Sequence, residues 1–97
     1  MAESEGKTIL VIEDEDDVVQ FLEMVLQDEG YQVVAAADGN EAMEKIKEQK
    51  PDLITLDLIM PSKTGIGFYN ELRHSDEYKD IPMIVITGVD RDSSVMI

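Results

Sequence analysis

Short apolar runs alternate with segments of helical periodicity along this chain, and this alternation is the feature that most restricts how it can fold. Continuous β-rich runs bounded by turn residues are typical of buried strands, whereas apolar residues three and four apart indicate amphipathic helices. We predict strands at residues 7–12, 31–36, 53–57 and 81–87, and helices from residue 18 to the glycine at 30, at 41–49 and at 66–73. This order predicts an α/β fold with a doubly wound parallel sheet and right-handed crossovers.

Local signals indicate where these elements end. Gly30 follows the apolar positions of helix 1, where a glycine ends many helices. The sequence at 38–40 predicts a turn before helix 2, and Pro51 ends that helix. The run 31–36 is more polar than the strand that precedes it, which favours an edge position, and residues 90–97 are predicted to begin a further helix.

The composition is acidic and includes no cysteine. The 97 residues carry a formal net charge of −14, so the surface repels nucleic-acid phosphates and favours basic partners and divalent cations. No apolar run approaches the roughly 20 residues of a membrane span, and the acidic start lacks the regions of a signal peptide. We therefore expect one small cytoplasmic domain that neither binds nucleic acid directly nor contacts a membrane.

Acidic side chains follow two of the predicted strands. Glu13 and Asp14 end the first strand, Asp57 ends the third, and Thr87 ends the fourth. Parallel strands end at one edge of the sheet, so these groups are expected to meet there. Clustered carboxylates repel one another unless a cation neutralises them, and oxygen-only ligands suit Mg²⁺. Each residue also has a structural interpretation, as a turn, cap or strand-forming residue.

An Asp beside Mg²⁺ can attack phosphorus and form an aspartyl phosphate. Asp57 is the candidate nucleophile, and the Thr87 hydroxyl is the candidate donor to the transferring oxygens. The sequence has no Ser/His/Asp triad, zinc-ligand pattern or P-loop that would suggest other chemistry. His74 is the only histidine and is predicted to be a surface side chain.

These residues resemble the receiver domains of two-component response regulators. The resemblance runs from about Lys7 to the last residue and rests on Glu13-Asp14, Leu56-Asp57, Met60-Pro61, Gly65 and Thr87-Gly88. It implies a flavodoxin-like strand order, 2-1-3-4-5, and phosphorylation of Asp57 by a histidine kinase or a histidine phosphotransfer protein. It further implies that Thr87 contacts the phosphoryl group and that Mg²⁺ is held by Glu13, Asp14, Asp57 and the backbone carbonyl of Ile59.

Two departures from the family pattern stand out. Glu13 occupies a position where Asp is commoner, which keeps the carboxylate and lengthens its reach. Residues 1–6 are expected to form an acidic tail, and 7–97 a receiver domain without strand 5 and helix 5, and so without the family's phosphate-binding lysine and switch aromatic. Such a domain is expected to expose one edge of strand 4 and part of the apolar face of helix 1.

The favoured function is that of a phosphoacceptor signalling domain, in which phosphorylation of Asp57 switches an unidentified partner or output domain. Enzymatic activity is expected to be limited to self-phosphorylation from acyl phosphates and to autodephosphorylation. One alternative is a phosphohydrolase of the haloacid dehalogenase type, although those enzymes usually carry a second acid where this chain has Ile59. The other is an unphosphorylated pseudo-receiver, against which the intact acidic set argues.

Overall fold

The structure is a computed structural model that describes residues 6–57 and 64–86. Within these residues the strands and helices follow one another in the predicted order. They are β1 (Thr8–Ile12), α1 (Asp16–Asp28), β2 (Gln32–Ala36), α2 (Gly39–Glu48), β3 (Leu53–Asp57), α3 (Thr64–Arg73) and β4 (Met83–Ile86). The helix predicted to begin within 90–97 lies outside the described residues.

The four described strands form one parallel sheet in the order β2-β1-β3-β4. Leu10 in β1 lies opposite Val34 in β2 and Ile54 in β3. The doubly wound parallel sheet is therefore confirmed, as is the edge position of β2. The order also agrees with the expected 2-1-3-4 part of the flavodoxin-like arrangement.

The core lies between the sheet and the helices α2 and α3. All five residues of β1 are buried, because this strand has a neighbour on each side and helices pack over the sheet. The apolar side chains that form the core cluster are Leu10, Ile12, Ala36, Ala42, Ile46, Ile54, Leu56, Phe68, Leu72 and Ile81. This core holds β1 and β3 side by side, and the candidate acids follow at the ends of those two strands.

Helix α1 begins at Asp16, so that Asp16 and Asp17 occupy its first turn, where the helix dipole favours negative charge. Gly30 ends the helical segment as predicted. It adopts a left-handed φ of 96°, and its N–H donates to the carbonyl of Gln27 at 2.9 Å. A residue with a side chain is disfavoured in this conformation, so glycine suits the position.

Helix α2 begins at Gly39, which corrects the prediction of a turn at residues 38–40. The Asp38 side chain caps the helix by accepting a hydrogen bond from the N–H of Glu41 at 2.9 Å. The Glu41 side chain in turn accepts from the N–H of Ala37 at 2.6 Å. These reciprocal bonds satisfy donors that a helix start leaves unpaired, and Gly39 and Asn40 therefore join the helix.

Replacing Asp38 by Ala should lower the free energy of unfolding by about 1 kcal/mol, the usual cost of losing an N-cap. Urea denaturation followed by circular dichroism would measure this loss. Asp28→Ala is the matched control, since it also removes an Asp but lies at the last residue of α1. Equal stability of Asp38→Ala and the parent protein would show that the cap contributes nothing.

Several large apolar side chains of α1 and β4 are exposed. Phe21 is 59% exposed and Met24 57%, and no residue of α1 is buried within the described structure. Ile84 of β4 is 53% exposed, and β4 pairs only with β3 among the described strands. This confirms the expected exposure of strand 4 and helix 1. No helix among the described residues has the length and apolar character needed to cross a membrane.

Candidate functional site

The acidic site is built where β1 and β3 end. The register pairs Ile12 with Leu56, which makes Glu13 and Asp57 the next residues on adjacent parallel strands. The N–H of Glu13 donates to the carbonyl of Ala36 at 3.0 Å, so the backbone of β1 remains attached to β2 at this point. The two acids are thus brought together by strand pairing, as the alignment of parallel strand ends predicts.

Three carboxylates meet at this edge of the sheet. Glu13, Asp14 and Asp57 each offer one oxygen, and these three oxygens lie within 4.8 Å of one another. Glu13 is buried, with 8% of its surface exposed, Asp57 is half-buried, and Asp14 is more exposed than Glu13. A small hard cation such as Mg²⁺ prefers oxygen ligands of this kind, and the three residues would hold it.

Burial raises the pKa of Glu13 from its ordinary value of 4.5 to about 7. Removal from water is the largest cause, because it disfavours the charged form, while hydrogen bonds to Asp57 and Asp14 and the charge of Asp57 raise the pKa further. The backbone N–H of Glu15 opposes this rise by donating to the carboxylate. At pH 7 about half of the metal-free molecules would therefore carry a proton at Glu13, and a cation that binds there would displace it.

The turn from β1 to α1 supplies a backbone donor to this site. The N–H of Glu15 donates to Oε2 of Glu13 at 3.2 Å. Glu15 is also the N-cap residue of α1, and its carbonyl accepts from the N–H of Val19 at 3.0 Å. The acidic site therefore lies against the start of α1, where the helix dipole favours nearby negative charge.

The described residues include only part of the predicted site. The structure brings together the three predicted acids, whereas Thr87 and Ile59 lie outside the described residues. His74 is exposed at the end of α3, and its Nδ1 lies 2.7 Å from the carbonyl oxygen of Asn70, which confirms the surface prediction.

Sequence reasoning missed the contribution of Glu15. This contact uses a backbone N–H, which every residue except proline possesses, so no side-chain pattern identifies it. A signal was nevertheless available in the short spacing between the strand end and the first apolar helical position, which leaves the acids only a tight turn. The first amides of the helix then had to lie close to the carboxylates.

The family model for the response regulator receiver domain matches residues 9–97. Over 87 residues the chain is 38% identical to the alkaline phosphatase synthesis transcriptional regulatory protein PhoP of Bacillus subtilis (strain 168). That alignment covers 90% of this chain but 35% of PhoP, so the chain spans about a third of the length of this curated relative.

Solved structures show the same fold. The chemotaxis response regulator CheY4 of Vibrio cholerae is similar with a TM-score of 0.75 and 35% identity, over 81% of this chain and 66% of that one. The Mn(2+)-bound form of response regulator Rcp1 is similar with a TM-score of 0.76 and 28% identity, over 89% of this chain and 68% of that one.

Proposed function

The chain belongs to the response regulator receiver domain family, and from this membership we propose that it is a phosphoacceptor whose Asp57 receives the phosphoryl group. Receiver domains are signalling domains of two-component systems, not metabolic enzymes. The observation that supports the proposal is the meeting of the Glu13, Asp14 and Asp57 oxygens within 4.8 Å at the ends of adjacent strands. A nucleophilic carboxylate and the groups that can hold a cation are thereby adjacent.

In the proposed reaction, a carboxylate oxygen of Asp57 attacks phosphorus and forms the new P–O bond. The bond from phosphorus to the donor breaks at the same time, and the donor atom keeps that electron pair. With phosphohistidine the leaving atom is an imidazole nitrogen, and with an acyl phosphate it is a carboxylate oxygen. The main contribution of the protein is to position the nucleophile, since phosphoryl transfer depends on alignment and charge stabilisation.

The acids around Asp57 have a supporting role in this proposal. Glu13 and Asp14, with Asp57 itself, would hold Mg²⁺, which when bound neutralises charge on the transferring oxygens. The Mn(2+) named for the similar Rcp1 structure is a divalent ion of the same hard class and supports this choice. The Ile59 carbonyl as a further ligand and the Thr87 hydroxyl as a donor to the phosphoryl group complete the proposed set.

The proposed partners follow from the chemistry of the donor. A histidine kinase or a histidine phosphotransfer protein would supply the phosphoryl group, and the change at Asp57 would act on an output domain or protein. A cytoplasmic location, where such donors present phosphohistidine, belongs to the same proposal. The family match gives no support to a haloacid dehalogenase-type phosphohydrolase, and the retained acids argue against a pseudo-receiver.

Incubating the intact protein with a small acyl phosphate tests the function directly. We expect one phosphoryl group to be added only when Mg²⁺ is present, and mass spectrometry of peptides to locate it at Asp57. Continuous hydrolysis of simple phosphate esters without a modified intermediate would favour the phosphohydrolase. Modification at another residue would contradict the proposal.

The metal assignment predicts that Asp14→Ala weakens Mg²⁺ binding by about tenfold or more, because fewer carboxylate ligands lower the affinity for a divalent ion. Titration calorimetry of the intact protein would measure the change. Asp17→Ala is the matched control, since it removes the same charge from an exposed position in the first turn of α1. Equal affinity in Asp14→Ala and Asp17→Ala would contradict the proposed site.

A further inference from the structure

The connection between β1 and α1 is fixed at both ends beside the acidic site. At one end the N–H of Glu13 donates to the Ala36 carbonyl at 3.0 Å, and at the other the Glu15 carbonyl accepts from the N–H of Val19 at 3.0 Å. Between these bonds, the N–H of Glu15 donates to Oε2 of Glu13 at 3.2 Å. A backbone group held by a strand and a helix therefore contacts the most buried acid of the site.

We propose that the Glu15 backbone N–H is a positioning group for the metal site: it holds one oxygen of Glu13 and leaves the other to face the cation. The inference rests on the proposed function, since it assumes that Glu13, Asp14 and Asp57 bind Mg²⁺. It adds a group that does not touch the metal but determines how one ligand is presented.

The physical reason lies in the length of the glutamate side chain. Glu has one more rotatable bond than Asp, so a Glu ligand loses more side-chain conformational entropy when it binds a cation. The hydrogen bond from Glu15 restricts Glu13 to one arrangement before the ion arrives. Groups that orient a metal ligand in this way commonly contribute 10- to 100-fold to metal affinity.

The same contact also has a purely structural interpretation. A carboxylate near the start of a helix stabilises that helix, and the Glu15 side chain makes no capping hydrogen bond in the described part of the chain. On this interpretation, removing the contact would lower the stability of the metal-free protein and leave the Mg²⁺ affinity of the folded protein unchanged. The two roles therefore predict different measurements.

Glu15→Pro removes the N–H donor but keeps the carbonyl that accepts from Val19. Glu15 has φ −95° and ψ 117°. Proline prefers a φ of about −65°, so it fits this extended position after a modest change of φ. Glu15→Ala is the matched control, because it removes the exposed carboxylate and keeps the N–H. We expect the proline variant to bind Mg²⁺ about tenfold more weakly than the parent protein, and the alanine variant to bind it equally well.

Titration calorimetry on the intact folded protein gives the affinities, and urea denaturation without metal gives the stability. Equal Mg²⁺ affinity in the proline and alanine variants would overturn the inference, whatever happens to stability. Proline also restricts the backbone of the preceding residue, which is the ligand Asp14. A semisynthetic protein with an ester in place of the amide between residues 14 and 15 is therefore measured as well, since it removes the N–H and keeps every side chain. An ester variant that binds Mg²⁺ like the parent would overturn the inference too.

Asp14→Ala distinguishes a failure of the metal site from a failure of the positioning role of the Glu15 N–H. If Asp14→Ala leaves Mg²⁺ affinity unchanged, the metal site itself is wrong, and the positioning role fails with it. If Asp14→Ala weakens binding and Glu15→Pro does not, the metal site stands and only the role of the Glu15 N–H is wrong.

Discussion

Asp57→Asn is expected to reduce Mg²⁺-dependent phosphorylation of the intact protein by an acyl phosphate to background, a loss of at least about 100-fold in rate. The reason is chemical, because a carboxamide oxygen carries no full negative charge and is a far weaker nucleophile than a carboxylate. Asn has almost the same size as Asp, so the end of β3 should keep its backbone. Phosphate incorporation, followed by mass spectrometry over time, measures the effect.

Asp52→Asn provides the control for this experiment. Asp52 lies just before β3, at the other end of the strand, where its Oδ2 accepts a hydrogen bond from the N–H of Thr8 at 2.8 Å. The amide oxygen of Asn can still accept that bond, so this variant should be phosphorylated like the parent protein. Equal phosphate incorporation in Asp57→Asn and Asp52→Asn would contradict the assignment of Asp57 as phosphoacceptor.

The second large effect is a pH dependence of Mg²⁺ binding that originates at Glu13. The pKa of this residue is raised to about 7 in the metal-free protein, chiefly by burial. A cation must displace the retained proton, so the apparent affinity should fall by roughly tenfold per pH unit below that value and level off above it. Titration calorimetry across this range would show the change of slope near pH 7.

As pH rises, the Mg²⁺ affinity should increase, whereas the free energy of unfolding of the metal-free protein should decrease. The pKa of Glu13 is 4.5 ordinarily and about 7 in the fold, so between these values the folded state binds more protons than the unfolded chain. The free energy of unfolding should therefore decrease as pH rises from 4.5 to about 7, and this contribution should be constant at higher pH. A pKa shift from 4.5 to about 7 corresponds to a change on the order of 1–3 kcal/mol.

Glu13→Gln tests the predicted pH dependence of stability, since it keeps the size of the side chain but does not titrate. The variant should lose this pH-dependent contribution to stability and should be more stable than the parent protein at pH 8 without Mg²⁺. Glu44→Gln, at an exposed position in α2, is the control and should retain the parent behaviour. A Mg²⁺ affinity that is equal at pH 6 and pH 8 in the parent protein would show that Glu13 does not hold the competing proton.

The class of fold and the meeting place of the acids could be predicted from the sequence. Apolar periodicity distinguishes strands from helices, and the alternation of the two leads to a parallel sheet. Parallel strands all end at one edge, and for that reason the meeting of Glu13, Asp14 and Asp57 could be predicted without coordinates. The start of α2 could not be predicted in the same way. Gly39 can belong to a turn or to a helix, and the reciprocal hydrogen bonds of Asp38 and Glu41 place it in the helix.

The different environments of the neighbouring acids Glu13 and Asp14 became visible in the fold. In the sequence, Glu13 and Asp14 are adjacent carboxylates, yet in the fold Glu13 is buried and Asp14 is more exposed. The raised pKa of Glu13 and its contact with the Glu15 N–H follow from that burial and from the tight turn into α1. Burial and hydrogen-bond partners depend on residues that are distant in the sequence, such as Asp57. Local sequence patterns do not show how close such residues lie in the fold.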